Sequence, residues 1–320
     1  MKTALICGIT GQDGSYLAKL LLGKGYVVWG TSRDAPRCNV GSLKALGILE
    51  QVKLTSMVAE DFRSTLMAIK KSDPDEIYFL AGQSSVGLSF EEPAETIQSI
   101  VIGTLNVLEA CRFHTKAVRV YHAGSSECFG DTRGERASES TPFSPRSPYA
   151  VAKGSAHWLV NNYREAYGLF VCTGILFNHE SPLRPARFVT QKIISSARRI
   201  ANGAQEKLRL GRLDISRDWG WAPEYVDAMW RMLQLDRPED FVIATGVTIT
   251  LADFIGCAFR EFGLSWEDHV IQDESLFRPT DIVSHSADPS RARDALSWSA
   301  TTKGLDVVTR LVRESQSAPT

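Results

Sequence analysis

Through the first half of the chain, short apolar runs alternate with stretches whose apolar residues recur every three or four positions. Residues 4–7, 27–29, 52–54, 77–80, 118–121 and 171–176 predict buried strands, and residues 16–22, 65–71, 97–111 and 152–167 predict helices. Strand and helix in alternation imply right-handed crossovers and a parallel sheet covered on both faces. The expected fold is therefore α/β and doubly wound, with ligands at the carboxyl ends of the strands. After about Asn178 the rhythm changes: loops lengthen and become rich in Pro and Arg, as in Pro182-Leu-Arg-Pro-Ala-Arg187 and Phe277-Arg-Pro-Thr-Asp281. Helices are expected at 189–201, 226–233, 251–262 and 302–314, and 241–245 reads as a strand lent back to the main sheet. This divides the chain into a nucleotide-binding domain, 1–178 with 218–248 returning to it, and a smaller, mostly helical substrate-binding lobe, 179–217 and 249–320. The polar tail after Arg313 is expected to fray.

Composition narrows the function classes. At 320 residues with 43% hydrophobic positions, the chain can bury a sizeable core. A formal net charge of −1 excludes a broad electrostatic attraction to nucleic acid or to an anionic membrane, while local basic residues can still hold a small anion. The six cysteines include no C-x-x-C pair and read as reduced, structural thiols; the six histidines lack paired spacing, which argues against a metal site. The N-terminus enters a strand directly, without a signal-peptide pattern, and no apolar run reaches the ~18 residues of a membrane span. The cytoplasm is the expected location.

Chemistry enters at the first turn. Gly8-Ile-Thr-Gly11-Gln-Asp-Gly14 follows the first strand and opens a helix. Three glycines alone are a weak signal, but strand, glycine turn and helix at the start of an alternating domain form a dinucleotide-binding Rossmann arrangement. Gly8 permits the tight turn, Gly11 lets backbone approach a pyrophosphate, and Gly14 lets the helix pack near the strand. The helix N-terminus then offers free N–H groups to the phosphates, with Thr10, Gln12 and Asp13 filling the loop. At the end of the second strand, Gly30-Thr-Ser-Arg33-Asp34 offers two choices: Arg33 would pair a 2′-phosphate and favours NADP, whereas Asp34 would accept from a free ribose hydroxyl and leaves NAD open.

A second constellation lies in Ser147-Pro-Tyr149-Ala-Val-Ala-Lys153, where a spacing of four puts Tyr149 and Lys153 on one helical face. A phenol with a reference pKa near ~10 needs roughly three units of lowering, about 4 kcal/mol, to act as a base at neutral pH. An adjacent ammonium, helped by a positively charged nicotinamide, is expected to supply that. Upstream, Gly124-Ser125-Ser126-Glu127 places a serine and a carboxylate two residues apart. Glu127 adds the extra acid and base that an elimination requires.

These residues resemble the extended short-chain dehydrogenase/reductases, and longer stretches resemble GDP-mannose 4,6-dehydratases. The latter are Ser125-Ser-Glu-Cys-Phe-Gly130, Thr141-Pro-Phe-Ser-Pro-Arg-Ser-Pro-Tyr149, Gly174-Ile-Leu-Phe-Asn-His-Glu-Ser-Pro182, Arg217-Asp-Trp-Gly220 and Asp240-Phe-Val-Ile-Ala-Thr-Gly246. The likeness runs from Leu5 to about Val312. It implies catalytic roles for Ser125, Glu127, Tyr149 and Lys153 and an internal redox cycle. Tyr149 takes the 4-hydroxyl proton as hydride leaves C4, Glu127 removes the C5 proton and assists loss of water from C6, and the hydride returns to C6. It further implies that Asp61, Phe62, Leu80, Ala81, Gln83, His179 and Arg184 line the cofactor. Ser85, Asn178, Val189, Lys192, Arg212, Arg217 and Arg278 would surround the nucleotide sugar, with Asp281 accepting from guanine. Helices near 97–111 and 152–167 would form a dimer face, making a homodimer or homotetramer.

The chain departs from this pattern at Arg33-Asp-Ala-Pro-Arg37, where relatives carry paired arginines followed by serines, and at Pro185 and Arg212. Three other readings stand beside the leading one: the same dehydration of another nucleotide sugar such as a GDP-heptose, an epimerase or reductase of the same fold, and a non-catalytic nucleotide-binding regulator.

Overall fold

The apolar runs of the first half pair side by side. The computed structural model describes residues 1–317. In it β1 (Thr3–Cys7), β2 (Val27–Ser32), β3 (Lys53–Ser56), β4 (Glu76–Phe79), β5 (Arg119–Ala123), β6 (Val171–Leu176) and β7 (Phe241–Ile243) form one parallel sheet. Their order is β7-β6-β5-β4-β1-β2-β3. The direction of winding reverses between β1 and β4, which opens a crevice at their carboxyl ends.

Alternation along β1 builds two cores. Ala4 and Ile6 join Leu17 and Leu21 of the helix Gln12–Gly23 and Met229 of the helix Ala222–Met232. Leu5 and Cys7 face the other way, onto Phe79, Val107 and Val160 under the helices Gly103–Arg112 and Pro148–Tyr167. A strand buried on both faces reads as a continuous apolar run, and β4 and β6 are buried at every position. The second half supplies a lobe with its own core of Trp219, Trp221, Phe254 and Leu311. Its sheet runs 248–250, 216–221, 284–287, 136–137, and the strand Asn178–Glu180 pairs with the far end of 216–221.

Three elements differ from the pattern reading. The helix expected at 97–111 begins at Pro93, passes through a π-helical turn at Gln98–Ile102 and resumes at Gly103. The turn sits where tertiary contacts override helical spacing: Ser99 Oγ accepts from the Gln83 N–H at 3.2 Å, and a Cβ at Gly103 would lie 3.1 Å from both Ala59 and Phe79. A short helix, Val86–Glu91, capped by Ser85, carries too few apolar repeats to be seen in the pattern. The tail after Arg313 stays helical through Ser317, supported by an Arg310–Glu314 pair at 2.9 Å. Residues 318–320 of that tail lie outside the described residues. Among the described residues no helix is long and apolar enough to cross a membrane.

Candidate active site

The glycine turn after β1 forms a cradle. Gly8 adopts φ +87°, a conformation that side chains rarely tolerate. At Gly14 a Cβ would lie 2.4 Å from the Gly8 carbonyl oxygen, so only glycine lets the helix start this close to the turn. The resulting cleft, about 570 Å³, is lined by Gly8, Thr10, Gly11, Gln12, Asp13, Gly14, Arg33, Leu80, Ala81, Gln83 and Arg184 of the expected cofactor set. Its size, its backbone donors at a helix N-terminus and its basic Arg184 and Arg187 fit the diphosphate of a dinucleotide.

The loop is tied to the lobe. His179 Nδ1 donates to the Phe177 carbonyl at 2.7 Å, and Nε2 meets Asp13 Oδ2 at 2.9 Å. Both ring nitrogens face acceptors, an arrangement that favours the charged imidazole. Burial opposes that charge, but the Asp13 carboxylate outweighs it and raises the His179 pKa. Gln12 adds a bond from Nε2 to the His179 carbonyl at 3.1 Å and accepts from Ser181 Oγ at 2.8 Å.

At the other end of the cleft the wall is acidic. Glu60, Glu92 and Glu95 line it with Arg33, and Arg33 lies 3.7 Å from Glu95. Asp61 and Phe62 are not in this wall: Asp61 caps the helix Phe62–Ser72 by accepting from the Ser64 N–H at 2.5 Å, and Glu60 stands in the wall instead. None of the three glutamates was singled out in the sequence, because no local motif marks them.

Tyr149 and Lys153 lie near the start of the helix Pro148–Tyr167, capped by Ser147. Tyr149 belongs to a buried cluster with Ile100, Ala152 and Ala156, against which Val86 and Val101 pack. Burial raises its pKa, and a hydrogen bond with Ser125 opposes the shift. Lys153 Nζ donates to the Ala123 carbonyl at 2.8 Å and lies 5.9 Å from the Tyr149 ring centre. Burial pushes Lys153 down to about 8. The lowering expected from the lysine is thus not produced by the chain's own residues; in this desolvated pocket the neutral phenol wins.

Glu127 lies on the short helix that follows β5, its N–H donating to Ser125 Oγ at 3.3 Å. Burial raises its pKa above the usual carboxylate range, with Arg217 and Arg278 opposing and Asp281 adding to the rise. Four residues from three segments therefore share one electrostatic neighbourhood. Arg217 is buried, and Arg278 is exposed. His285, unmarked in the sequence, secures this loop: its Nε2 donates to the Ser126 carbonyl at 2.8 Å, and burial lowers it to about 3, so it is neutral.

The remaining substrate candidates are dispersed. Arg212 is held by Asp214 in a two-pronged pair at 2.9 and 2.5 Å, with Asp281 close enough to act on its charge. Ser85 Oγ caps its helix by accepting from the Leu88 N–H at 3.3 Å. Asn178 pairs with Trp219, while Val189 and the exposed Lys192 lie at the start of the helix Val189–Ala201. Among the described residues no group of three or more His, Cys, Asp or Glu could hold a metal ion.

Comparison with known proteins gives consistent matches. The family model described as GDP-mannose 4,6 dehydratase matches residues 5–311. GDP-mannose 4,6 dehydratase 2 of Arabidopsis thaliana is 48% identical over 312 residues, covering 93% of this chain and 82% of the relative. Two solved structures share the fold. The UDP-glucose 4-epimerase of Thermus thermophilus, complexed with NAD, has a TM-score of 0.86 at 22% identity, covering 99% of this chain and 100% of the other. RMD from Pseudomonas aeruginosa, complexed with NADPH, has a TM-score of 0.82 at 20% identity, again covering 99% and 100%.

Proposed function

This chain belongs to the GDP-mannose 4,6-dehydratase family, and we propose that it converts GDP-mannose to GDP-4-keto-6-deoxy-mannose with loss of water. The observation that carries the reading is Glu127, two residues from Ser125, with Arg217 and Arg278 acting on its charge. Simple oxidation or epimerisation at C4 has no use for that carboxylate, whereas elimination across C5 and C6 requires it.

A nicotinamide dinucleotide held by the glycine turn would supply the hydride acceptor for C4 and the hydride donor for C6. The side chains handle every proton. Tyr149 acts here as the phenolate, whose charge the Lys153 ammonium and the positive nicotinamide would together offset, and its Oη takes the C4 hydroxyl proton, steadied by Ser125. The C4 ketone acidifies C5–H, the Glu127 carboxylate removes that proton, and the resulting acid protonates the departing C6 hydroxyl as water. Tyr149 then returns its proton to C5. Oxidation at C4 balances reduction at C6, so the net change is loss of water. Incubation with GDP-mannose and a trace of dinucleotide is expected to yield keto-sugar without accumulation of reduced cofactor. No product from GDP-mannose, with turnover of another nucleotide sugar, overturns the assignment.

The protonation states set the pH dependence. Glu127 must begin as the carboxylate, so kcat/KM falls as pH drops through its raised pKa, above the ordinary ~4.5. Lys153 must be charged, so kcat/KM falls again as pH rises through about 8. A bell-shaped profile is expected, and Lys153→Arg should move the alkaline limb upward if that limb belongs to Lys153.

For the cofactor, Arg33 at the cleft wall favours NADP, but Glu95 competes for its charge. Both side chains are largely exposed, so the competition is worth at most about 1 kcal/mol. Glu95→Gln is expected to tighten NADP about two- to fivefold and leave NAD unchanged in a fluorescence titration. Equal gains for both would remove Arg33 from the choice.

The chain pairs with a second copy through exposed apolar side chains on the helical segments 93–112 and 148–167: Ile97, Ile102, Val151, Trp158 and Tyr167. Trp158, 63% exposed, is the largest of them. Trp158→Asp is expected to yield a monomer in sedimentation, and an unchanged oligomer would place the interface elsewhere.

A further inference from the structure

A second cavity lies apart from the cofactor cleft, sharing none of its wall residues. It is bounded by residues 244–247, the strand Arg136–Ala137, the helix Ser290–Leu296 and the segment leading into the last helix. Its volume is about 260 Å³, against about 570 Å³ for the cleft. Three cationic side chains from three separate segments line it: Arg136, Arg293 and Lys303.

The charges in this wall do not cancel. Asp288 is the acidic residue among those lining the cavity, and its carboxylate accepts from the Ser290 N–H at 3.1 Å. Arg293 is held by its neighbour Asp294, at 2.8 and 3.3 Å. Among the described residues, neither Arg136 nor Lys303 is paired with a carboxylate. Bringing like charges to one concavity costs self-repulsion, and a concave wall focuses the resulting field. A bound anion relieves both. The Thr245 and Gly246 N–H groups in its wall are already used, bonding Asp218 at 3.0 and 2.7 Å. The side-chain cations Arg136, Arg293 and Lys303 are the groups suited to the spread charge of a phosphate or diphosphate. The buried Trp298 supplies an apolar wall that strengthens such contacts.

We propose that this cavity binds the phosphate or diphosphate group of a small molecule distinct from the substrate and the dinucleotide. The site holds its ligand whether or not the cleft is filled. It also abuts the active-site machinery, since Asp218, which anchors its floor, directly follows Arg217.

The test uses the whole chain saturated with NADP+ and GDP, so that the cleft is occupied, and titrated calorimetrically with pyrophosphate and, in a separate arm, inorganic phosphate. One additional site per chain is expected, weakening as salt rises. Stronger binding of pyrophosphate would identify a diphosphate ligand, and equal binding a monophosphate. Arg136→Ala and Lys303→Ala should each weaken that site about tenfold or more, and the double variant should abolish it. Both side chains lie outside the catalytic machinery, so turnover of GDP-mannose in the absence of phosphate should persist and report folding. No additional site in either arm, or an additional site insensitive to both substitutions, overturns the proposal. If the double variant does not fold, Lys303→Glu alone decides the matter: the extra site must then be lost.

Discussion

Glu127→Gln is expected to lower steady-state dehydration by roughly 10²–10⁴-fold, the usual worth of a positioned acid–base group. The amide keeps the shape of the side chain but can neither take the C5 proton nor deliver one to the C6 hydroxyl. The backbone bond from residue 127 to Ser125 Oγ is independent of the side chain, so the Tyr149 end of the site should stay intact. The distinguishing readout is a single turnover: reduced dinucleotide should appear on mixing with GDP-mannose and then persist, because the hydride has no deoxygenated C6 to return to. Retention of full turnover would remove Glu127 from the reaction. Loss of the first hydride transfer along with the second would reduce it to a structural role.

Tyr149→Phe should stop the cycle one step earlier. A loss of roughly 10²–10⁴-fold is again expected, now with no burst of reduced dinucleotide, because the C4 hydroxyl has no base. The raised pKa of the phenol bears on this result. In the pocket of Ile100, Val86 and Val101 the chain alone stabilises the neutral hydroxyl, and burial has weakened the charge on Lys153 that would oppose it. Tyr149 is therefore suited to donate a proton without help, and to accept one only as positive charge is brought beside it. That asymmetry matches a residue whose last act is to protonate C5. The two variants together separate the halves of the reaction: one blocks before the hydride moves, the other after.

Much of this site was legible in the sequence because its residues are bound by local geometry. The glycine turn must follow a strand and open a helix, and Tyr149 and Lys153 must share a helical face; both constraints leave a fixed spacing. The parallel sheet covered on both faces followed from strand–helix alternation for the same reason, whereas its strand order did not. What escaped notice is held together by contacts far apart in the chain. Glu60 reaches the cleft from one segment and Glu92 and Glu95 from the start of the helix Pro93–Ile97, and His285 meets the Ser126 carbonyl across 159 positions. The π-helical turn at Gln98–Ile102 answers to Ser99, Gln83 and Gly103 rather than to its own apolar spacing. A spacing of four likewise reveals the lysine beside Tyr149 but not the burial that raises the phenol's pKa in the chain alone.

The Asp13–His179 pair carries a consequence for how such chains can be recombined. Asp13 belongs to the turn after the first strand and His179 to a strand of the lobe, yet each supplies the charge that keeps the other ionised in a buried setting. A chimera that takes its lobe from a relative lacking the histidine inherits half of an ion pair, leaving the half-buried Asp13 carboxylate beside the glycine turn with only the Gln12 amide and the charge of Arg184 to offset it, which costs stability. Positions 13 and 179 therefore behave as one unit of exchange, and a library of swapped lobes should be enriched, among its folded members, in those that keep the two together.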